Sequence, residues 1–130
     1  MKSLRKTFRN RLVILSSSLL LFFVSCGETG NYGYPSKVVF NNSGGDKEVK
    51  GTDSPYLIEI RDYDGNGAVS NPLGTAGDSM IVSYQWLTIK AKKGESKLLL
   101  IAAPNQSGKS RTLYVHAPVM DTGAEIKVVQ

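Results

Sequence analysis

Short apolar runs separated by polar turn clusters fill the chain from residue 37 onward, and they predict β-strands. Apolar and polar residues alternate within several runs, so that YLIEI places Tyr56, Ile58 and Ile60 on one face. The run LLLIAA is apolar throughout, which indicates a central strand buried on much of both faces. From Lys37 onward the sequence shows no convincing helical period. The predicted strands are 37–40, 47–51, 56–60, 80–84, 86–91, 97–103, 111–117 and 124–130.

This spacing predicts the fold class and the boundaries of the folded domain. Seven or eight short strands within about 95 residues are typical of an all-β protein, an Ig-like β-sandwich of antiparallel strands over residues 37–130. The stretches between the runs are rich in Gly, Asn, Asp and Ser, which form turns. Residues 27–36, GETGNYGYPS, have the same composition and are predicted to be a flexible tether.

The first 25 residues have the pattern of a secretory signal. Five basic residues lie before residue 12, and no acid occurs before Glu28. Residues 12–24 are apolar except for three serines. This segment is shorter than the run of about 20 apolar residues that spans a bilayer, so it predicts export rather than a membrane-spanning helix.

Cys26 is the only cysteine of the chain, so it cannot form an intrachain disulfide and is too few for a metal site. The stretch FVSC resembles the lipobox of bacterial lipoproteins, although Phe23 replaces the usual leucine. The resemblance implies that the lipoprotein signal peptide, residues 1–25, is removed and that Cys26 receives lipid and enters the bilayer. Residues 26–36 would then be the lipidated cysteine and its tether. An ordinary secretory signal, a membrane-retained helix and a buried structural thiol are the alternatives.

Loss of the leader would change the charge of the protein. The whole chain has a formal net charge of +5, but five of its 16 basic residues lie in the leader and all 11 acids lie after it. The remainder is therefore neutral and has no basic block, so the sequence does not favour a nucleic-acid partner.

The order of the strand sequences carries a further resemblance. The pieces are VVFNNSGGDKEV, PYLIEI, WLTI, LLLIAAPNQSGKSRTLYVHA and EIKVVQ, covering about residues 37–130. In this order they resemble BACON, a Bacteroidetes-associated Ig-like module. Tyr56 stands where that family commonly has Trp, and residues 61–79 look like an insertion. The resemblance implies an outer-membrane protein with a carbohydrate-binding or spacer role, no catalytic residue, and structural roles for Asn105 and Arg111.

The stretch DYDGNGAVSNPL matches part of a calcium-binding loop. Asp62, Asp64 and Asn66 stand where an EF-hand has ligands, but Leu73 occupies the position of its bidentate glutamate. A polar turn is the preferred interpretation. With one histidine and no cysteine besides Cys26, a transition-metal site is not predicted either. We expect no cofactor.

His116 is the only histidine, and the alternation in RTLYVHA places it with Tyr114 opposite Leu113 and Val115, which face the core. The sequence places no nucleophile or orienting carboxylate beside this histidine. The acids are scattered, and a domain of this size has little material for a catalytic cleft. We therefore do not predict an enzyme.

Exposed aromatic rings are the candidate ligand-binding groups, because the C–H faces of pyranose sugars stack on such rings. Trp86 is instead predicted to be buried. These considerations predict a lipid-anchored outer-membrane protein that binds a glycan or glycoprotein. The periplasmic face and the cell surface are both alternatives for its location. The alternative is a structural spacer or an accessory that docks on another envelope protein. The candidate ligand-binding residues are Tyr63, Asp62, Asp64 and Asn66 in the insertion, and Tyr114 and His116 on a strand.

Overall fold

The computed structural model describes residues 30–70 and 77–130, and this part of the chain forms two β-sheets without a helix. The predictions for Cys26 and for residues 1–25 lie outside the described residues, as do Asn71 and Leu73 of the predicted insertion. The strands are β1 Lys37–Val39, β2 Gly45–Lys50, β3 Glu59–Arg61, β4 Gly67–Val69, β5 Ser79–Tyr84, β6 Leu87–Lys92, β7 Lys97–Ala102, β8 Thr112–Pro118 and β9 Gly123–Val129.

The two sheets confirm the predicted all-β sandwich. A five-stranded sheet has the order β1-β9-β8-β3-β4, and a four-stranded sheet has the order β2-β7-β6-β5. Each predicted run overlaps one strand, although β3 overlaps only the last two residues of the predicted run 56–60, and β4 is a ninth strand that lies in the segment predicted to be an insertion. The expectation of antiparallel strands throughout was wrong for one pair. β1 runs parallel to β9, with Lys37 opposite Lys127, and alternation alone carries no information on strand direction.

The inner faces of the sheets form one hydrophobic core. Alternate positions of the long strands point inward, as the sequence pattern predicts. On β7, Leu98 and Leu100 are fully buried, whereas Leu99 and Ile101 are half-buried on the outer face. The strand is central, between β2 and β6, but it is completely covered on one face only. The largest fully buried side chains are Tyr34, Ile58, Ile60, Met80, Leu87, Ile89, Leu98, Leu100, Leu113, Ile126, Val115 and Val128.

Residues 30–36 belong to the folded domain, which corrects the prediction that they are part of a flexible tether. Tyr34 is fully buried in the core, and its hydroxyl donates a 2.9 Å hydrogen bond to the carbonyl of Asp53. Asn31 Nδ2 donates to the carbonyl of Glu125 (3.0 Å), and its Oδ1 accepts from the Glu125 amide (2.9 Å). The turn-rich composition does not predict this attachment, because only one aromatic ring, that of Tyr34, and one amide side chain, that of Asn31, provide it.

The strand directions define two ends of the sandwich. The N-terminal end contains residues 30–36 and the β8–β9 turn at 119–122, which lie side by side through the Asn31–Glu125 hydrogen bonds. The hairpin end contains the β3–β4 turn at 62–66, the β5–β6 turn at 85–86 and the loop at 103–111. Because β8 runs from the hairpin end to the N-terminal end, its seven residues separate the two groups of loops.

The hairpin end is closed by Trp86, which is 8% exposed, so the prediction of a buried tryptophan is confirmed. The guanidinium of Arg111 lies over the indole ring, 4.8 Å from its centroid. Arg111 Nε and Nη2 both donate to Gln130 Oε1, at 2.9 and 2.6 Å. In the adjoining loop, Asn105 Nδ2 donates to the Lys109 carbonyl (2.8 Å). Both residues therefore have structural roles at this end: Arg111 covers Trp86, and Asn105 caps the loop.

The attachment of the N-terminal segment leads to a stability prediction. Tyr34→Ala should lower the free energy of unfolding by about 3–5 kcal/mol, because it removes a large ring from the core. Urea unfolding followed by the fluorescence of Trp86 measures this change. The matched control is Tyr56→Ala, which removes a ring that is 46% exposed and should cost about 1 kcal/mol or less. Equal midpoints for the two variants would show that residues 30–36 are not part of the cooperative unit.

Candidate functional site

The β3–β4 hairpin is fixed by Asp62 at its start. One carboxylate oxygen, Asp62 Oδ1, accepts hydrogen bonds from the amides of Asp64 and Asn66, both at 2.9 Å. The Asp62 amide in turn donates to the Asn66 carbonyl (2.8 Å). Gly65 supplies the positive φ of +86° that the turn requires. The turn presents the side chain of Tyr63 at its tip, where it is 89% exposed.

Asp62 also ties the hairpin to the other sheet. Its second oxygen, Oδ2, accepts a 3.0 Å hydrogen bond from the Tyr84 hydroxyl at the end of β5. Partial desolvation raises the pKa of the Asp62 carboxyl, but the amide hydrogen bonds and the Tyr84 hydroxyl outweigh it and hold the pKa below its ordinary value. The pKa of Tyr84 is raised by desolvation and by this carboxylate. The site therefore favours the ionised form of Asp62.

Tyr114 lies beside the hairpin on the outer face of the five-stranded sheet. The strand register places it directly between Arg61 on β3 and Lys127 on β9. The burial of Leu113 and Val115 confirms that Tyr114 is on the outward side of β8, where its ring is half-buried. The hairpin and the sheet face enclose a shallow depression of about 330 Å³, lined by Arg61, Asp62, Tyr63, Gly65, Tyr114 and Glu125.

His116 lies one row further along the same face, toward the N-terminal end. Its direct neighbours across the sheet are Glu59 on β3 and Glu125 on β9. Arg61 Nε donates a 2.7 Å hydrogen bond to Glu59 Oε2, so these two charges form an ion pair beside the depression. On this face, Tyr114 therefore has two basic neighbours across the strands, Arg61 and Lys127. His116, in the next row, has two acidic neighbours.

The structure brings some of the sequence-predicted residues together and separates others. Tyr114 meets Asp62 and Tyr63 in the depression, although it is far from these two neighbouring residues in the chain. His116 shares the sheet face but is not in the lining, and Asp64 and Asn66 lie in the hairpin with their amides bonded to Asp62. Sequence reasoning missed Arg61 and Glu125, because their proximity depends on the register of β3 and β9 against β8. The only sequence signal for these two residues is that the alternation of their strands places both on the outward face.

Metal binding has no geometric basis in the part of the chain that the structure describes. Residues 30–70 and 77–130 contain no group of three or more His, Cys, Asp or Glu side chains that could hold a metal ion. Both oxygens of Asp62, the first residue of the calcium-like stretch, already accept hydrogen bonds.

A second depression, of about 300 Å³, lies on the outer face of the four-stranded sheet. Leu99 and Ile81 contribute apolar surface, while Glu48 and Lys90 are charged neighbours of Leu99 across the sheet. Its described lining contains no aromatic side chain. This depression lacks the exposed ring that distinguishes the one at the hairpin.

Comparison of the chain with protein-family models, curated proteins and solved structures gives no match. Among residues 30–70 and 77–130, no helix is long and apolar enough to cross a membrane. The function proposed below is therefore argued from the geometry of the site and from the sequence patterns.

The lowered pKa of Asp62 leads to a pH-dependent prediction. A carboxyl whose pKa is lower in the folded than in the unfolded state stabilises the fold above its unfolded pKa, about 3.9, and this contribution is lost as the pH falls through the folded value. We therefore expect Asp62→Ala to lower the urea midpoint at neutral pH, and we expect this difference to shrink on acidification below about pH 4.

The matched control is Asp64→Ala, because Asp64 is an exposed carboxylate of the same hairpin. Its effect at neutral pH should be smaller than that of Asp62→Ala. A difference between wild type and Asp62→Ala that stays constant or grows on acidification would contradict the assigned role of the ionised carboxylate.

Proposed function

We propose that this protein is a non-catalytic, lipid-anchored envelope protein of the bacterial outer membrane whose BACON-type, Ig-like domain binds a glycan or glycoprotein at the hairpin depression. The observation that carries the proposal is the ring of Tyr63, which is 89% exposed at the rim of a depression that also contains Tyr114. A ring that is so exposed has no role in the core of the sandwich. A ring flanked by hydrogen-bonding groups fits a pyranose.

The strand topology supports the Ig-like part of the proposal. In Ig domains strands B, E and D are neighbours in one sheet, and strands C, F and G are neighbours in the other. With β2 as B, β3 as C and β4 as C′, the remaining strands β6, β7, β8 and β9 become D, E, F and G. The observed orders β2-β7-β6 and β9-β8-β3-β4 then reproduce B-E-D and G-F-C-C′. β1 and β5, which lie at the edges of the two sheets, are not part of this match.

The charged groups around the depression suit the hydroxyl groups of a sugar. The guanidinium of Arg61 provides donors and the carboxylate of Glu125 provides acceptors on opposite sides of Tyr114. The Arg61–Glu59 ion pair holds the guanidinium near the depression. A sugar ring lying on Tyr63 or Tyr114 would therefore meet both kinds of hydrogen-bonding partner.

The lipid anchor is supported by the sequence alone. Cys26 follows a basic segment and an apolar run of signal-peptide length, and FVSC resembles a lipobox. Two or three acyl chains attached at the cysteine would give stable anchoring, since each buried methylene contributes about 0.8 kcal/mol.

A second candidate function is docking on another envelope protein. β5 is an edge strand with no charged residue, reading SMIVSY, and within the described residues it pairs only with β6. Ile81 on this strand is 46% exposed. Uncharged edge strands can accept a strand from a partner. The other long edge strand, β2, reads GDKEVK and is protected by its charges.

We expect Tyr63→Ala to weaken glycan binding several-fold while leaving the unfolding midpoint nearly unchanged, because the ring is exposed. The measurement is a glycan-array screen of the protein, followed by titration of any hit with the wild type and the variant. The control is Tyr56→Ala, an exposed tyrosine that is not in the lining of the depression. If Tyr63→Ala binds a confirmed glycan as well as wild type does, the site is misplaced. If no glycan binds, the docking function is favoured.

We expect Cys26→Ala to abolish acylation and to leave an unprocessed or mislocalised precursor, because the mutation removes the only thiol. Metabolic labelling with an alkyne fatty acid, followed by detection on a gel, measures this. Equal labelling of wild type and the variant would contradict the lipoprotein assignment. The control Phe23→Leu restores the usual lipobox residue and should be labelled at least as well as wild type.

A further inference from the structure

Exposed apolar and aromatic side chains surround the N-terminal end of the sandwich. Met120, in the β8–β9 turn, is 80% exposed. Tyr56 is 46% exposed, and its amide donates to the carbonyl of Pro118 (3.1 Å), so it lies beside the same turn. Tyr32 is hydrogen-bonded through its hydroxyl to Thr122 of that turn. Side chains with an apolar body and a polar tip suit the boundary between water and lipid.

The length of chain before the described residues limits how far this end can be from the proposed anchor. Only residues 27–29 separate Cys26 from Gly30. Four peptide units span at most roughly 14 Å when fully extended. The next residues add no slack, because Asn31 is hydrogen-bonded to Glu125 and Tyr34 is buried in the core. A lipid on Cys26 would therefore bring the N-terminal end to within about this distance of the bilayer.

We infer that the N-terminal end of the sandwich rests on the bilayer surface, with Met120 and Tyr56 in contact with the interfacial layer of the lipid. This inference rests on the proposed acylation of Cys26. It implies a fixed orientation, in which the hairpin end points away from the membrane. Strands rise by about 3.3 Å per residue, so the hairpin that presents Tyr63 stands roughly 20 Å further from the bilayer than the β8–β9 turn.

Lysines at the same end can contact lipid headgroups. Lys50 ends β2, Lys92 ends β6 and Lys97 begins β7, so all three lie at the N-terminal end of the four-stranded sheet. Their long side chains can direct the ammonium groups to phosphate oxygens. Asp78 and Glu95 lie among them, so the apolar contact of Met120 is the primary interaction and the net charge is secondary.

Site-specific fluorescence tests this orientation in the full, membrane-processed protein. Because Cys26 is the only cysteine and would be acylated, an introduced cysteine becomes the only free thiol. Met120→Cys and Lys109→Cys, the latter in an exposed loop of the hairpin end, are each labelled with a nitrobenzoxadiazole dye. The labelled proteins are reconstituted into phosphatidylcholine–phosphatidylglycerol vesicles, with and without a spin-labelled lipid that quenches the dye. Unchanged unfolding midpoints establish that both variants are folded.

We expect dye emission at position 120 to rise several-fold on vesicle binding and to be quenched by the spin-labelled lipid, whereas the dye at position 109 should respond to neither. Vesicle-bound protein with an unquenched dye at position 120, or equal quenching at both positions, would overturn the inference while leaving the anchor intact. The wild-type protein shows whether a negative result is due to the absence of the anchor or to a wrong orientation. If wild-type protein reacts with the thiol dye, Cys26 is not acylated, and both the lipid anchor and the inferred orientation are wrong.

Discussion

The inner faces of the two sheets have only each other to pack against, and this mutual burial determines what every outward position can do. Leu113 and Val115 must point inward from β8, so Tyr114 and His116, which alternate with them, must point outward. A shift of one residue in the strand register would bury the polar set and expose the apolar one. The candidate ligand-binding surface is therefore a consequence of core packing, since the same alternation that builds the core also places Tyr114 between Arg61 and Lys127.

Each end of this small sandwich needs a side chain that covers the core, because two stacked sheets leave the core exposed where their strands end. At the N-terminal end the ring of Tyr34 fills the opening, and its hydroxyl is satisfied by the Asp53 carbonyl. At the hairpin end the indole of Trp86 does so, under the guanidinium of Arg111. Arg111 is held by Gln130 and by the carbonyls of the adjoining loop. Each closure joins segments that are far apart in the sequence.

Local patterns predicted the strands well and the long-range relationships poorly. The eight apolar runs all overlap strands, because alternation indicates which side chains face a core, regardless of which strand is the partner. β4 was missed because Gly67, Ala68 and Val69 are too few and too small to produce a pattern. The N-terminal segment was misjudged because one buried ring, Tyr34, outweighs the composition around it. In the candidate site, the exposure of Tyr63 follows from its turn, but its proximity to Tyr114 and Glu125 depends on strand register, which alternation does not specify.

The parallel pairing of β1 with β9 has a mechanical consequence. β1 begins at the N-terminal end, whereas β9 ends at the hairpin end beside Gln130. A force applied between Gly30 and Gln130 would slide these two strands lengthwise past each other. The bonds from Lys127 to Ser36 and from Phe40 to Val129, at 2.9 and 2.8 Å, would then be strained together, whereas a hairpin pulled apart from its open end loses its bonds one at a time. The β1–β9 pair therefore resists shear along the strand direction when the domain is pulled between Gly30 and Gln130.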